Sequence, residues 1–313
     1  MNKKWEFYNQ EQEKVNKLVE KFKISELLAT VLVNRNIINE KDVELFLNPT
    51  RNDFHDPYLM PDMKPAVKRI IQAINNNEKT IIYGDYDVDG ITSITVLSRF
   101  LKERGLDVGA YIPNRLNEGY GLNKEAIKKI AEEGYKLIIT VDCGISGTEE
   151  VKYAYSLGME VIVTDHHEPL DELPKALAVI DCKRKDNKYP FNSLAGVGVA
   201  FKVIQAIGIE LKIDEKEYLK YLDIVAIGTI SDIVPLIDEN RVIAKLGLKL
   251  VEVTKSPGVR ALLNVSAYKE VNSNTVSFGI APRINACGRM GHERDALDLF
   301  LTENIVEANR ITN

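Results

Sequence analysis

Five short apolar runs, at 80–83, 108–112, 137–141, 161–164 and 178–180, recur through the middle of the chain, with helix-like segments at 91–104, 124–133 and 148–156 between them. The runs are continuously apolar, as in strands buried on both faces. Strands of that kind joined by helices form a mostly parallel sheet flanked by helices, an α/β fold. Such a sheet dictates where chemistry can sit, because open parallel sheets take ligands outside the carboxyl ends of their strands. The residues at those ends are acids and imidazoles. Asp85, Asp87 and Asp89 crowd the turn after the first run, Asp142 follows the third, and Asp165, His166 and His167 follow the fourth.

Each acid alone reads equally well as a turn former or a helix cap. Their recurrence at successive strand ends points elsewhere, since neighbouring carboxylates repel unless a cation neutralises them. Several carboxylates with one or two imidazoles suit Mn²⁺ or Mg²⁺ better than a thiolate-rich zinc site. The cysteines, Cys143, Cys182 and Cys287, form no CxxC pair, which predicts reduced thiols and a cytoplasmic location. The run Met1-Asn2-Lys3-Lys4-Trp5-Glu6 has no apolar segment behind it, and no stretch of about 18 apolar residues occurs, so neither secretion nor membrane insertion is expected. At a net charge of −5 the chain has no global attraction for polyanions, and one would have to be held by a local patch.

Around the sheet, the periodicity predicts helices at 25–34 and 41–47, a Pro- and Asp-rich connector at 51–65 and a helix at 66–75. Beyond it come a helical stretch at 219–230 leading into Ser231-Asp232, helices near 242–253 and 259–264, and a last one from 296. The expected organisation is an N-terminal helical extension and connector (1–78), an α/β core (79–213), a mainly helical subdomain completing it (214–295), and the start of a linker helix (296–313).

The runs GDYDVDG (84–90), VDCGIS (141–146), TDHHEP (164–169) and GTISDIVPL (228–236) resemble, in order and spacing, the four metal motifs of the DHH phosphoesterase superfamily. The stretches PNRLNEGYGLN (113–123), YPFNSLAGVGVAFK (189–202) and APRINACGRM (281–290) are similar to one branch, the RecJ single-stranded-DNA exonucleases. The resemblance implies the DHH fold and a two-metal site for Mn²⁺ or Mg²⁺. Asp85 and Asp87 would hold one ion, Asp89, His166 and Asp232 the other, and Asp142 would bridge them. Many relatives place a histidine where this chain has Tyr83, which leaves the first ion's ligand set the less defined of the two. Two ions about 3.5–4 Å apart can activate water and hold both oxygens of an in-line displacement at phosphorus. The implied reaction is 5′-to-3′ hydrolysis of single-stranded DNA to nucleoside 5′-monophosphates, in DNA repair and recombination.

His167 either orients His166, sits in the core or, as the resemblance implies, meets the scissile phosphate or assists proton transfer. Asp165 is expected to receive a ring N–H from a ligand imidazole. For the substrate, the candidates are Arg115, the helix start at Gly196 and Gly198 with Lys202 behind it, and the set Arg283, Asn285 and Arg289. The cluster Lys183-Arg184-Lys185 with Lys188 reads more readily as solvated surface, and Tyr86, Tyr120, Tyr189 and Phe191 as base-stacking or packing aromatics. A small-substrate DHH enzyme, such as an oligoribonuclease or a cyclic-dinucleotide phosphodiesterase, is the alternative. A catalytically dead DNA-binding relative is a third, although every metal position here is filled. Family likeness also implies a second domain beyond the linker, a single-strand-binding protein and a RecQ-type helicase as partners, and a monomer, with this chain as the catalytic N-terminal portion of a longer protein.

Overall fold

The computed structural model describes residues 11–115 and 117–312; the N-terminal run 1–10, Leu116 and Asn313 lie outside them. The chain divides into two compact units, Met1–Asp53 and Phe54–Asn313.

The first unit holds α1 (Gln12–Phe22), α2 (Glu26–Asn34) and α3 (Glu40–Leu47). Ser25 caps α2 by accepting from the Leu28 amide, and Asn39 caps α3 by accepting from the Asp42 amide, so each helix starts where a side chain satisfies a free N–H. Val15, Leu18, Ala29, Leu32, Val33, Ile37 and Val43 form its small core.

The second unit opens with α4 (Met63–Asn76) and runs β1 (Thr80–Gly84), α5 (Val88–Lys102), β2 (Val108–Tyr111), α6 (Lys124–Glu132), β3 (Leu137–Val141), α7 (Thr148–Ser156), β4 (Glu160–Asp165) and β5 (Ala178–Asp181). After the sheet come α8 (Gly196–Glu210), α9 (Lys216–Leu219), α10 (Leu222–Ser231), α11 (Asp238–Glu252), α12 (Pro257–Val265), a π-helical segment Thr275–Ile280, α13 (Ala281–Arg289), α14 (Glu293–Leu301) and α15 (Ile305–Thr312). The five strands are all parallel, in the order β2-β1-β3-β4-β5. Chain direction across the sheet therefore reverses between β1 and β3, which opens a crevice at their carboxyl ends.

Alternate residues of each strand feed two separate cores. Ile81, Tyr83, Ile138, Val161 and Val163 pack against α6 and α7, whereas Ile82, Leu137, Ile139, Val141, Ile162 and Ile180 face the side that carries α4, α5 and α8. Both α5 and α8 are buried nearly all round, α8 being apolar on most faces and α5 also burying Asp89 and several hydroxyls.

Two expectations change. Helix α4 buries Met63, Ala66, Val67, Ile70 and Ala73 in the main core and contacts α8 and β5, so it belongs to the α/β unit and not to the extension. Helix α10 packs on α5, α8 and α11 within this unit. The single helix expected from 296 is two, α14 and α15, and α15 lies against α12 and α14 with Ala308 buried. Among the described residues no helix is long and apolar enough to cross a membrane.

Candidate metal centre

The acidic turn is the start of a helix. Asp87 is the N-cap of α5, accepting from the Gly90 amide at 3.0 Å, and Asp89 sits in the first helical turn, 2% exposed. The Asp89 carboxylate takes the amides of Gly196 and Val197 at 2.6 and 2.8 Å, at the start of α8. A carboxylate is well placed there, facing unpaired N–H groups and the positive end of the helix. It also replaces the expected phosphate, because the α8 amides are already used by Asp89. Gly196 is required for a different reason: a Cβ there would lie 2.7 Å from the Asp142 Cβ. Gly198 packs against Leu194, its added Cβ falling 3.2 Å from that side chain.

Asp142 leaves β3 with φ +56°, a left-handed conformation that asparagine and aspartate tolerate better than most residues. His166 Nε2 lies 3.1 Å from Asp142 Oδ1 and 3.6 Å from Asp89 Oδ2, and Asp232 Oδ2 lies 3.8 Å from Nδ1. The Leu194 carbonyl, 3.1 Å from Nδ1, accepts its proton and leaves Nε2 with a lone pair turned toward two carboxylates. Both His166 Nε2 and Asp85 Oδ1 are buried with no hydrogen-bond partner. Unpartnered acceptors facing other acceptors cost free energy that a cation would remove, so the residues present fit divalent metal. Donor atoms gather into the groups Asp85–Asp87–Asp142, Asp89–His166–Asp232 and Asp142–His166–His167, each within 4.8 Å. Tyr83 takes no part: its hydroxyl donates to the Gly121 carbonyl and its ring stacks on Tyr111 in the core beneath α6.

Burial first, and then the repulsion of neighbouring acids, pushes Asp85, Asp89 and Asp232 up to about 7 and Asp142 well above the usual carboxylate range. The paired imidazoles move in opposite directions. Burial lowers His166, while the hydrogen bond that His167 donates to Asp165 raises His167. Asp165 therefore orients the other histidine from the one expected, accepting from His167 Nδ1 at 2.8 Å and from the amides of Ile145 and His166 at 2.9 and 2.7 Å. Burial opposes its ionisation, but those donors outweigh it and hold Asp165 below its ordinary value. The Tyr120 hydroxyl reaches both the Asp142 carbonyl and His167 Nδ1.

Beside Asp85 and Asp87, a pocket of about 280 Å³ is lined by Tyr86, Arg115, Asn285 and Arg289. The Arg115 guanidinium lies 5.1 Å from the Tyr86 ring centre, and Asn285 Oδ1 accepts from the Val88 amide. Close approach of α13 depends on Gly288, where a Cβ would meet the Tyr86 carbonyl at 2.7 Å. Arg283 is not with them. Two residues from Asn285, it faces another side of α13 and donates to the carbonyls of Gly279 and Val265. Lys202 is also elsewhere, fully buried and paired with Glu239 at 2.8 Å. Tyr189 and Phe191 are core residues, and Lys183, Arg184 and Lys185 all have acidic partners. The Leu194 carbonyl was missed from sequence, since no side-chain chemistry marks it.

The raised carboxyls fix a pH dependence. A folded-state value near 7 against about 3.9 unfolded means the group's stabilising contribution is complete below about pH 4 and disappears as pH rises through 7. Metal binds the ionised form. In a thermal-shift assay, the gain in Tm on adding Mn²⁺ is therefore expected to be larger at about pH 8 than at about pH 5.5. Equal gains at both would mean these acids are not the ligands.

Residues 79–229 match the model of the DHH family, N-terminal domain. The chain is similar to the single-stranded-DNA-specific exonuclease RecJ of Bacillus subtilis, 46% identical over 310 residues, which covers 98% of this chain and 39% of that protein. RecJ of Escherichia coli is 37% identical over 264 residues, 80% of this chain and 46% of the relative. A crystal structure of RecJ from Thermus thermophilus with Mn²⁺ superposes with a TM-score of 0.81 at 30% identity, over 96% of this chain and 43% of that one. The chain thus spans less than half the length of these relatives.

Proposed function

The chain belongs to the DHH family and is of RecJ type, and on that premise we propose that it is a metal-dependent exonuclease acting on single-stranded DNA from the 5′ end. The observation that carries the reading is the pair of donor groups, Asp85–Asp87–Asp142 and Asp89–His166–Asp232, set beside a pocket holding Arg115 and Arg289. Relatives named as single-stranded-DNA-specific exonucleases, and RecJ structures with Mn²⁺ and Mg²⁺, support it. Single-strand-binding protein and a RecQ-type helicase are the expected partners, and a cytoplasmic monomer the expected form.

Divalent ions, when bound, supply Lewis acidity and an activated water. The remaining roles fall to the chain. Asp142 is available to both groups, and the Leu194 carbonyl keeps His166 in the tautomer that offers Nε2. Arg115 and Arg289 suit phosphate oxygens, which guanidinium groups grip in pairs. His167, half-exposed and with its affinity for a proton raised by the hydrogen bond to Asp165, is the group suited to give a proton to the departing sugar oxygen.

The test is release of mononucleotide from 5′-labelled single-stranded and duplex DNA with Mn²⁺, and with EDTA. Release from the single strand that EDTA abolishes is expected. No release from either substrate, or release that survives EDTA, would overturn the reading.

A further inference from the structure

Asn240 is wholly buried in the first turn of α11 and touches neither an acid nor an imidazole of the metal centre. Its Nδ2 donates to two backbone carbonyls, Ser193 at 2.6 Å and Pro235 at 3.0 Å. These carbonyls lie on the two loops that serve the group Asp89–His166–Asp232. Ser193 precedes Leu194, whose carbonyl orients His166, and the same loop continues into the amides of Gly196 and Val197 that hold Asp89. Pro235 lies three residues beyond Asp232.

The second loop needs holding. Between Asp232 and Pro235 stands Ile233, a β-branched residue at φ +61° and 89% exposed, with no packing of its own to keep it in that conformation. Such a residue is strained and persists only where its surroundings over-determine it. The anchor on the other side is firm: the adjacent Glu239 is fixed by Lys202, by the Tyr189 hydroxyl and by the His55 amide.

We infer that Asn240 is a positioning residue, setting the spacing of Asp89, His166 and Asp232 and through it the affinity of the second ion. The chemistry demands an amide, because one nitrogen must donate to two carbonyls. An aspartate of the same shape would turn oxygen toward both of them, and an aliphatic side chain would leave both unpaired. The inference rests on the two-metal reading of the centre.

The experiment is Mn²⁺ titration by calorimetry on the wild type, N240D and N240S, with circular dichroism as the check on fold. Binding of two ions by the wild type is the condition for the test; its failure would strike the two-metal reading and not Asn240. In N240D one of the two affinities is expected to fall by about 10- to 100-fold, the usual range for loss of an outer partner, with the other unchanged. N240S, which keeps one donor, should lose less. Nuclease activity of both variants should return as Mn²⁺ is raised, with kcat close to wild type. Two wild-type affinities in a folded variant, or an equal loss at both sites, would overturn the inference. Should N240D fail to fold, N240S decides by the same criteria.

Discussion

Replacing Asp142 with asparagine is expected to lower Mn²⁺-dependent nucleotide release by at least about 100-fold, the upper range for losing a group that merely orients a metal site. The same substitution should raise the Tm of the metal-free protein. Asparagine accepts φ +56° nearly as well as aspartate, so the backbone carries no new strain and the change is one of charge. Activity falls because Asp142 belongs to the set with Asp85 and Asp87 and also lies 3.1 Å from His166 Nε2 of the other. Stability rises because, without a cation, this carboxyl is 2% exposed, and burial followed by repulsion from Asp89 and Asp87 pushes it far above its ordinary value. A raised folded-state value means a contribution present below about pH 4 and lost as pH climbs, so the gain in Tm should grow toward alkaline pH. Scanning fluorimetry with EDTA at about pH 8, beside the nuclease assay, reads both effects. Wild-type turnover would remove Asp142 from the centre, and an unchanged metal-free Tm would show that its charge is compensated some other way.

The second large effect lies outside the centre. Lys202 and Glu239 are both fully buried, and the Lys202 ammonium also donates to the His55 carbonyl at 2.7 Å. Removing one partner of such a pair strands the other charge, at a cost of about 3–5 kcal/mol. Lys202→Met keeps the length of the side chain and leaves Glu239 with only the Tyr189 hydroxyl and the His55 amide. Its Tm should fall by about 10 °C, given roughly 2–4 °C per kcal/mol for a domain of this size. Adding Glu239→Gln to Lys202→Met should recover most of the loss, because the uncompensated charge is gone. A Tm within about a degree of wild type for the single variant would mean the pair is solvated in solution.

The sheet and its acidic strand ends were legible because both signals are local: apolar runs of five residues or so, the first, third and fourth of them followed within two residues by an acid. The start of α5 was placed three residues late, because Asp87, its N-cap, was read with its neighbours as an acidic turn. What the sequence could not show depends on distant partners. Lys202 reads as a phosphate ligand behind a glycine-rich helix start, because its partner Glu239 stands 37 residues away. Gly196 and Gly198 suggest a phosphate cradle because the occupant, Asp89, is 107 residues earlier. Arg283 was separable by spacing alone: Asn285 and Arg289 are four apart and share a helix face, and Arg283 breaks that period once the segment is read as helix instead of turn.

The 107 residues between Asp89 and the α8 amides carry a kinetic meaning as well. Contacts of such long sequence separation cannot stabilise a chain until most loop closure has been achieved. The Asp89–His166–Asp232 group draws on the start of α5, the end of β4 and the end of α10, so no single hairpin or helix of this protein can assemble it. Metal uptake therefore reports that these separate stretches of the chain have come together.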